Sequence, residues 1–115
     1  MLTLPIKKKW YDMILSGEKK EEYRAMTDYY HTRLFNLFYD DFVAVSKGEK
    51  TVTDNLANIR FRNGYNANSP SFVATCRLRI GTGKPEWGAV DGVEYFVLEI
   101  IEINKDYLER RYTES

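Results

Sequence analysis

With 115 residues, the chain has room for one hydrophobic core and not two, and 43% hydrophobic against 30% charged residues is globular rather than disordered composition. Basic and acidic residues both number 17, which excludes the global electrostatic field that marks many nucleic-acid binders. One cysteine excludes an internal disulfide, and one cysteine with one histidine cannot assemble a zinc site of the usual kinds.

Leu2–Ile6 (LTLPI) alternates as a short strand, with Pro5 marking its end or an edge position. The period then changes. Ile6, Trp10, Met13 and Ile14 form one stripe of an amphipathic helix, and Gly17 is a natural stop. A strand with polar faces follows in EKKEEYRA. Thr27 or Asp28 can cap a second helix, whose stripe runs Tyr30, Leu34, Phe38, Phe42, Val45. SKGEKTVTDN reads as a loop. In the second half, NIRFR turns Ile59 and Phe61 to one face and Arg60 and Arg62 to the other. SFVATCRLRIG turns Phe72, Ala74, Cys76, Leu78 and Ile80 inward and Thr75, Arg77 and Arg79 outward. Between them NGYNANSP is turn chemistry throughout. VEYFVLEIIEI is apolar on both faces at its centre, as in a strand enclosed by sheet and helix. The order β-α-β-α-β-β-β, with antiparallel hairpins late in the chain, predicts one α+β domain over 1–115, built on a curved sheet or barrel. The N-terminus lacks the apolar region of a signal peptide and no apolar run spans a bilayer, so a cytoplasmic protein without a membrane partner is expected.

Charge is unevenly distributed. From Lys47 to Arg79 there are six basic residues (Lys47, Lys50, Arg60, Arg62, Arg77, Arg79) against two acidic ones, Glu49 and Asp54. From Lys84 onward eight acidic residues oppose four basic ones, so a local basic patch fits on a neutral chain. The densest cluster is SGEKKEEYR, in which six of nine residues are charged. Glu22 and Arg24 lie two apart on a strand and share a face, and the helix stop can turn Lys19 toward the same space. A carboxylate between two cations stays ionised, and spare donors on Lys19 and Arg24 suit a phosphate or a base carbonyl. The competing reading is a solvated ladder of ion pairs worth ~0–1 kcal/mol each.

GEKKEEYR also fits the pattern Gly-x-Lys-x-x-Glu-x-Arg at Gly17, Lys19, Glu22 and Arg24, after a strand and the helix in IKKKWYDMILSG. In this it resembles the ASCH domain, a PUA-like β-barrel family. IRFRNGY and EYFVLEI fall where such domains have their middle and final strands, so the resemblance covers most of Leu2 to Ile103. It implies RNA-related binding in a cleft between the first helix and the barrel, lined by Lys7, Lys19, Glu22 and Arg24. A helix from Asp28 to Val45 is long for a compact member and would cover or narrow that cleft. Some members are implied to be hydrolases of modified cytidine nucleosides, with a threonine where this chain has Glu22. The substitution removes a hydroxyl nucleophile but leaves Lys19 and Glu22 as a catalytic acid–base pair.

The four arginines give a second clue. A hairpin centred near Ser69–Pro70 would set Arg60 opposite Arg79 and Arg62 opposite Arg77, all on one face. Like charges so placed destabilise a sheet by up to ~1 kcal/mol each, so either nearby acids such as Glu94 or Glu102 or a polyanion should offset them. Tyr65 and Tyr23 can stack on bases or pack. His31 reads as partly exposed and Cys76 as a buried thiol. No Ser–His–Asp set, phosphate-cradling glycine loop or metal-ligand cluster is present, so neither a cofactor nor a metal is expected. The reading is an RNA- or nucleotide-binding module, with hydrolysis of RNA or modified nucleosides and a protein-interaction role as the alternatives.

Overall fold

The computed structural model describes residues 1–48 and 56–104, and for residues 39–46 the backbone alone. Strands β1 (Leu2–Ile6), β2 (Glu21–Arg24), β3 (Leu56–Asn63), β4 (Ser71–Thr82) and β5 (Glu94–Asn104) alternate early with helices α1 (Lys8–Ser16) and α2 (Asp28–Ser46). A 3₁₀ turn, Pro85–Trp87, lies between β4 and β5. The five strands form one sheet in the order β1-β3-β4-β5-β2. β1 runs parallel to β3, and every other pairing is antiparallel. The sheet curls: the Arg24 guanidinium on one edge strand donates from Nη2 to the Pro5 carbonyl on the other edge at 3.0 Å. A register shift near Thr75–Cys76 against β5 adds a bulge, a device that bends a strand and tightens its twist. The architecture is an α+β half-barrel with two helices.

The helices close the concave face. Leu4, Ile6, Ile59, Phe61, Phe72, Ala74, Cys76, Leu78, Phe96 and Leu98 form a core with Tyr11 and Ile14 of α1 and Leu34 and Phe38 of α2. Burying each of the large side chains contributes ~1.5–3 kcal/mol. The expected β4 alternation holds through Leu78. Ile80 keeps the same side, opposite Phe96, but is 51% exposed where the strand overhangs the core. In α1 the buried positions are Tyr11 and Ile14, while Trp10 is half-buried. The stripe is thus rotated toward Tyr11, whose ring packs 5.1 Å from Phe72. Gly17 ends α1 at φ 85, a left-handed conformation in which a Cβ is strained, and its N–H returns to the Ile14 carbonyl. Thr27 caps α2, its Oγ1 accepting from the Tyr30 N–H at 3.3 Å. The Phe42 and Val45 side chains of the expected stripe, and residues 49–55 of the expected loop with Glu49, Lys50 and Asp54, lie outside the described residues, as does the chain after Asn104.

The β3–β4 register corrects the sequence expectation. Arg60 pairs with Val73, Arg62 with Ser71, and Arg77 with Leu56. The hairpin is centred on Asn66–Ala67, because the Asn66 carbonyl accepts from the Ser69 N–H and Asn63 N–H reaches the Pro70 carbonyl. All four arginines do share the convex face, but in two separate pairs. Six residues separate Val73 from Arg79, about 20 Å at ~3.3 Å per residue.

Candidate functional site

The charged stretch is divided by the fold rather than solvated as a whole. Glu18 and Lys20 are exposed, whereas Lys19 and Glu22 are buried. The cause is local. After Gly17 reverses the chain, the Lys19 N–H bonds the Met13 carbonyl, which aims the side chain back under α1. Register on β5 then sets Glu22 opposite Leu98 and Arg24 opposite Phe96, both on the concave face.

The Lys19 ammonium donates to the Trp87 carbonyl and sits over two rings, 4.6 Å from Trp10 and 5.0 Å from Tyr23. Its other partner is Glu22 Oε1 at 3.5 Å, and that oxygen also faces Arg24 Nη1 at 3.5 Å and accepts from the Tyr23 N–H at 3.1 Å. Burial pushes the Lys19 pKa below the ordinary lysine range, and the Glu22 carboxylate works against that. The second carboxylate oxygen, Oε2, is buried with no hydrogen-bond partner. Arg24 is bonded to the backbone by contrast, with Nη1 donating to the Tyr23 carbonyl at 2.7 Å and Nη2 to the Pro5 carbonyl at 3.0 Å. Gly88 lets the loop after β4 close over this cage. Its φ is 102, and a Cβ there would lie 3.0 Å from the Trp10 ring.

Above the pair, a cleft of about 550 Å³ opens where the two edge strands approach. Lys7, Glu22, Arg24 and Tyr65 all line it, and so do Trp10, Tyr29, Tyr30, Arg33 and Trp87. Lys19 does not line it: its ammonium lies over the Trp10 ring, and the residue borders a second cavity, of about 870 Å³, with Gly17, Lys20, Asn58, Thr75 and Glu102. The first turns of α2 form one wall, so the long helix narrows the cleft from the side. Arg33 stacks over the Tyr29 ring at 3.3 Å, which holds both groups at the rim. Tyr65 is 89% exposed there.

The remaining predicted residues lie elsewhere. Arg60 and Arg62 sit one strand in from β1 and do not line the cleft; Arg60 donates to Ser71 Oγ at 2.9 Å. Arg77 and Arg79 straddle Glu99, at 2.8 and 3.2 Å, and Arg79 also pairs with Glu21 at 2.8 Å. The acids that offset these two charges are therefore Glu99 and Glu21, not Glu94 or Glu102. The Glu21 contact raises the Arg79 pKa further. Tyr23 packs against Val97 and Ala89, its hydroxyl donating to Glu21 and accepting from the Lys84 N–H. His31 is exposed and stacks on Phe35 at 4.3 Å. Among the described residues, no group of His, Cys, Asp or Glu could hold a metal ion, and no helix is long and apolar enough to cross a membrane.

Trp10, Trp87, Tyr29, Tyr30 and Arg33 were not among the site residues expected from sequence. Trp10 and Tyr30 were assigned to helical core stripes, and the Trp87 carbonyl, 68 residues from Lys19, leaves no trace in the side-chain pattern. No family model, no curated protein and no solved structure matches the chain.

Proposed function

We propose that the cleft binds a segment of single-stranded RNA or a nucleotide, and that the domain is of the ASCH, PUA-like type. The observation that supports this best is the convergence of aromatic faces and cations on one concave site. Tyr30, the exposed Tyr65, and Trp10 and Trp87 (with Lys9 and Lys19 over the Trp10 ring and Lys84 over the Trp87 ring) bring aromatic groups to the site, and Lys7, Arg24 and Arg33 bring positive charge beside the carboxylate of Glu22. Stacking contributes ~1–3 kcal/mol per base, and cations beside it suit the attached phosphate. The volume lies within the ~300–1,000 Å³ of small-ligand sites. Lys19 and Glu22 act as the foundation: they hold β2, α1 and the Trp87 loop in one arrangement beneath the ligand.

Binding is favoured over catalysis because the Lys19 amine is fully buried and tied to a backbone carbonyl. The test is anisotropy titration of labelled single-stranded RNA and of nucleoside monophosphates across a salt series, with product analysis of each mixture. Lys7→Ala and Arg33→Ala should each weaken binding and lower the log–log salt slope by ~0.7, while Arg77→Ala/Arg79→Ala should leave the slope unchanged. A slope that falls only in the convex-face variant would move the site to that face. Turnover that drops ~10²–10⁴-fold in Glu22→Gln with affinity kept would establish hydrolysis instead.

A further inference from the structure

Building on the reading of the cleft as a nucleotide site, we infer that Glu22 selects bases that present an exocyclic amino group. The polar groups at the cleft floor do not balance. Lys19 gives one N–H to the Trp87 carbonyl, and Arg24 gives one each to the Tyr23 and Pro5 carbonyls. Glu22 Oε1 faces three donors. Glu22 Oε2 is the odd group: a carboxylate oxygen with no donor, on a residue only 5% exposed that forms part of the cleft wall. Such a group costs free energy until a donor reaches it, so a ligand N–H gains more here than at a solvated carboxylate.

The carboxylate can meet that donor with little loss. Its contacts to Lys19 and Arg24 are both 3.5 Å, well beyond the ~2.7–2.9 Å of a strong charge-assisted bond, and the terminal torsion of glutamate is soft. A small rotation about that torsion keeps Oε1 near its donors and leaves Oε2 free to turn toward a ligand in the cleft that Glu22 helps to line. Two kinds of donor could be imagined, a cationic amine or a neutral amino group on a ring. Charge decides between them. Lys7, Arg24 and Arg33 line the cleft and the Lys19 ammonium lies 3.5 Å from Glu22, so a cation is repelled, whereas a neutral ring carrying a phosphate is drawn in. The flat aromatic lining favours the same ligand. Adenine, cytosine and guanine each carry an exocyclic amino group that can donate to this carboxylate; a carbonyl at that place would set oxygen against oxygen.

Glutamine at this position gives a diagnostic reversal. The Tyr23 N–H, Lys19 and Arg24 all point at Oε1, so the Gln carbonyl is held there and its NH₂ takes the place of Oε2. The acceptor becomes a donor.

The experiment compares nucleotides that differ by the amino group alone: AMP with purine riboside 5′-monophosphate, GMP with IMP, and CMP with the 2-pyrimidinone riboside 5′-monophosphate. Each is titrated as monomer and as an RNA tetramer, against wild type and Glu22→Gln. Wild type should bind the amino member of at least one pair roughly tenfold or more tightly. Glu22→Gln should lose that preference and favour UMP over CMP. Equal wild-type affinity within every pair overturns the inference and leaves the nucleotide site standing. Failure of every nucleotide and tetramer to bind wild type overturns both. The wild-type comparison decides the matter even if Glu22→Gln does not fold.

Discussion

Replacing Lys19 with methionine keeps an unbranched side chain one atom shorter and removes its charge, so it reports chiefly on what the buried ion pair contributes. Two groups then lose a partner: the Trp87 carbonyl loses its donor, and Glu22 keeps only the Tyr23 N–H and the 3.5 Å contact with Arg24. Stripping one member from a buried pair costs ~3–5 kcal/mol, and the remaining Arg24 places this case near the lower end, at ~3 kcal/mol. That is a large part of the ~5–15 kcal/mol that holds a domain of this size folded. At ~4 °C per kcal/mol, Tm should fall by ~12 °C. Lys19→Met/Glu22→Leu removes both charges and should recover much of the loss, giving a coupling energy of ~2 kcal/mol or more in the cycle. Urea and thermal unfolding by circular dichroism measure all four proteins. A single-variant cost below ~1 kcal/mol, with the double variant simply additive, is the behaviour of an exposed pair and would refute the buried arrangement.

The Arg79 ion pairs are about a third exposed, so Arg79→Ala should cost only ~0.5–1 kcal/mol in the same unfolding assays, and a loss above ~3 kcal/mol would contradict their screening by solvent. Gly88→Ala forces a Cβ against Trp10 at φ 102 and should lower Tm and alter tryptophan emission, whereas an unchanged spectrum would mean that the loop does not seal the cage. Burial pushes the Cys76 thiol up to about 12 from an ordinary value of 9.0, so at pH 8 the folded thiolate fraction is on the order of 10⁻⁴ and Ellman's reagent should react only after unfolding. The same shift sets a pH slope. The unfolded chain releases the thiol proton near pH 9 while the folded chain keeps it to about 12, so this contribution is fully present below pH 9 and stability falls as pH rises through that window. Cys76→Ala should flatten part of the slope, and an unaltered slope would assign it elsewhere.

The parts of this fold that depend on near neighbours were legible in the sequence. Gly17 announced the end of α1, and the two-residue spacing put Glu22 and Arg24 on one face. Alternation placed Cys76 and Leu78 inside. The hairpin register was not legible, because NGYNANSP is saturated with turn formers and several centres satisfy it equally. What fixes the register is the packing of Phe61 opposite Phe72, with the Asn66 side chain accepting from the Asn68 N–H. The cleft was half visible. Its cations and carboxylate stood out as a charged cluster. Its aromatic walls did not, since a helical stripe of tryptophan and tyrosine reads as core until the sheet edges that leave a gap are known. The depth of Lys19 was also hidden, because its closest partner is a backbone carbonyl.

The two tryptophans of the chain, Trp10 and Trp87, both line the cleft, so their indole N–H resonances report on it without any mutation. The most direct test is a ¹H–¹⁵N spectrum of labelled protein titrated with single-stranded RNA and with nucleoside monophosphates. The account predicts that both indole signals shift, together with the amides of Lys7, Tyr30, Gly64 and Tyr65, while Thr75 and Arg77 on the convex face stay in place. Shifts confined to the convex face, or no shift with any of these ligands, would contradict it.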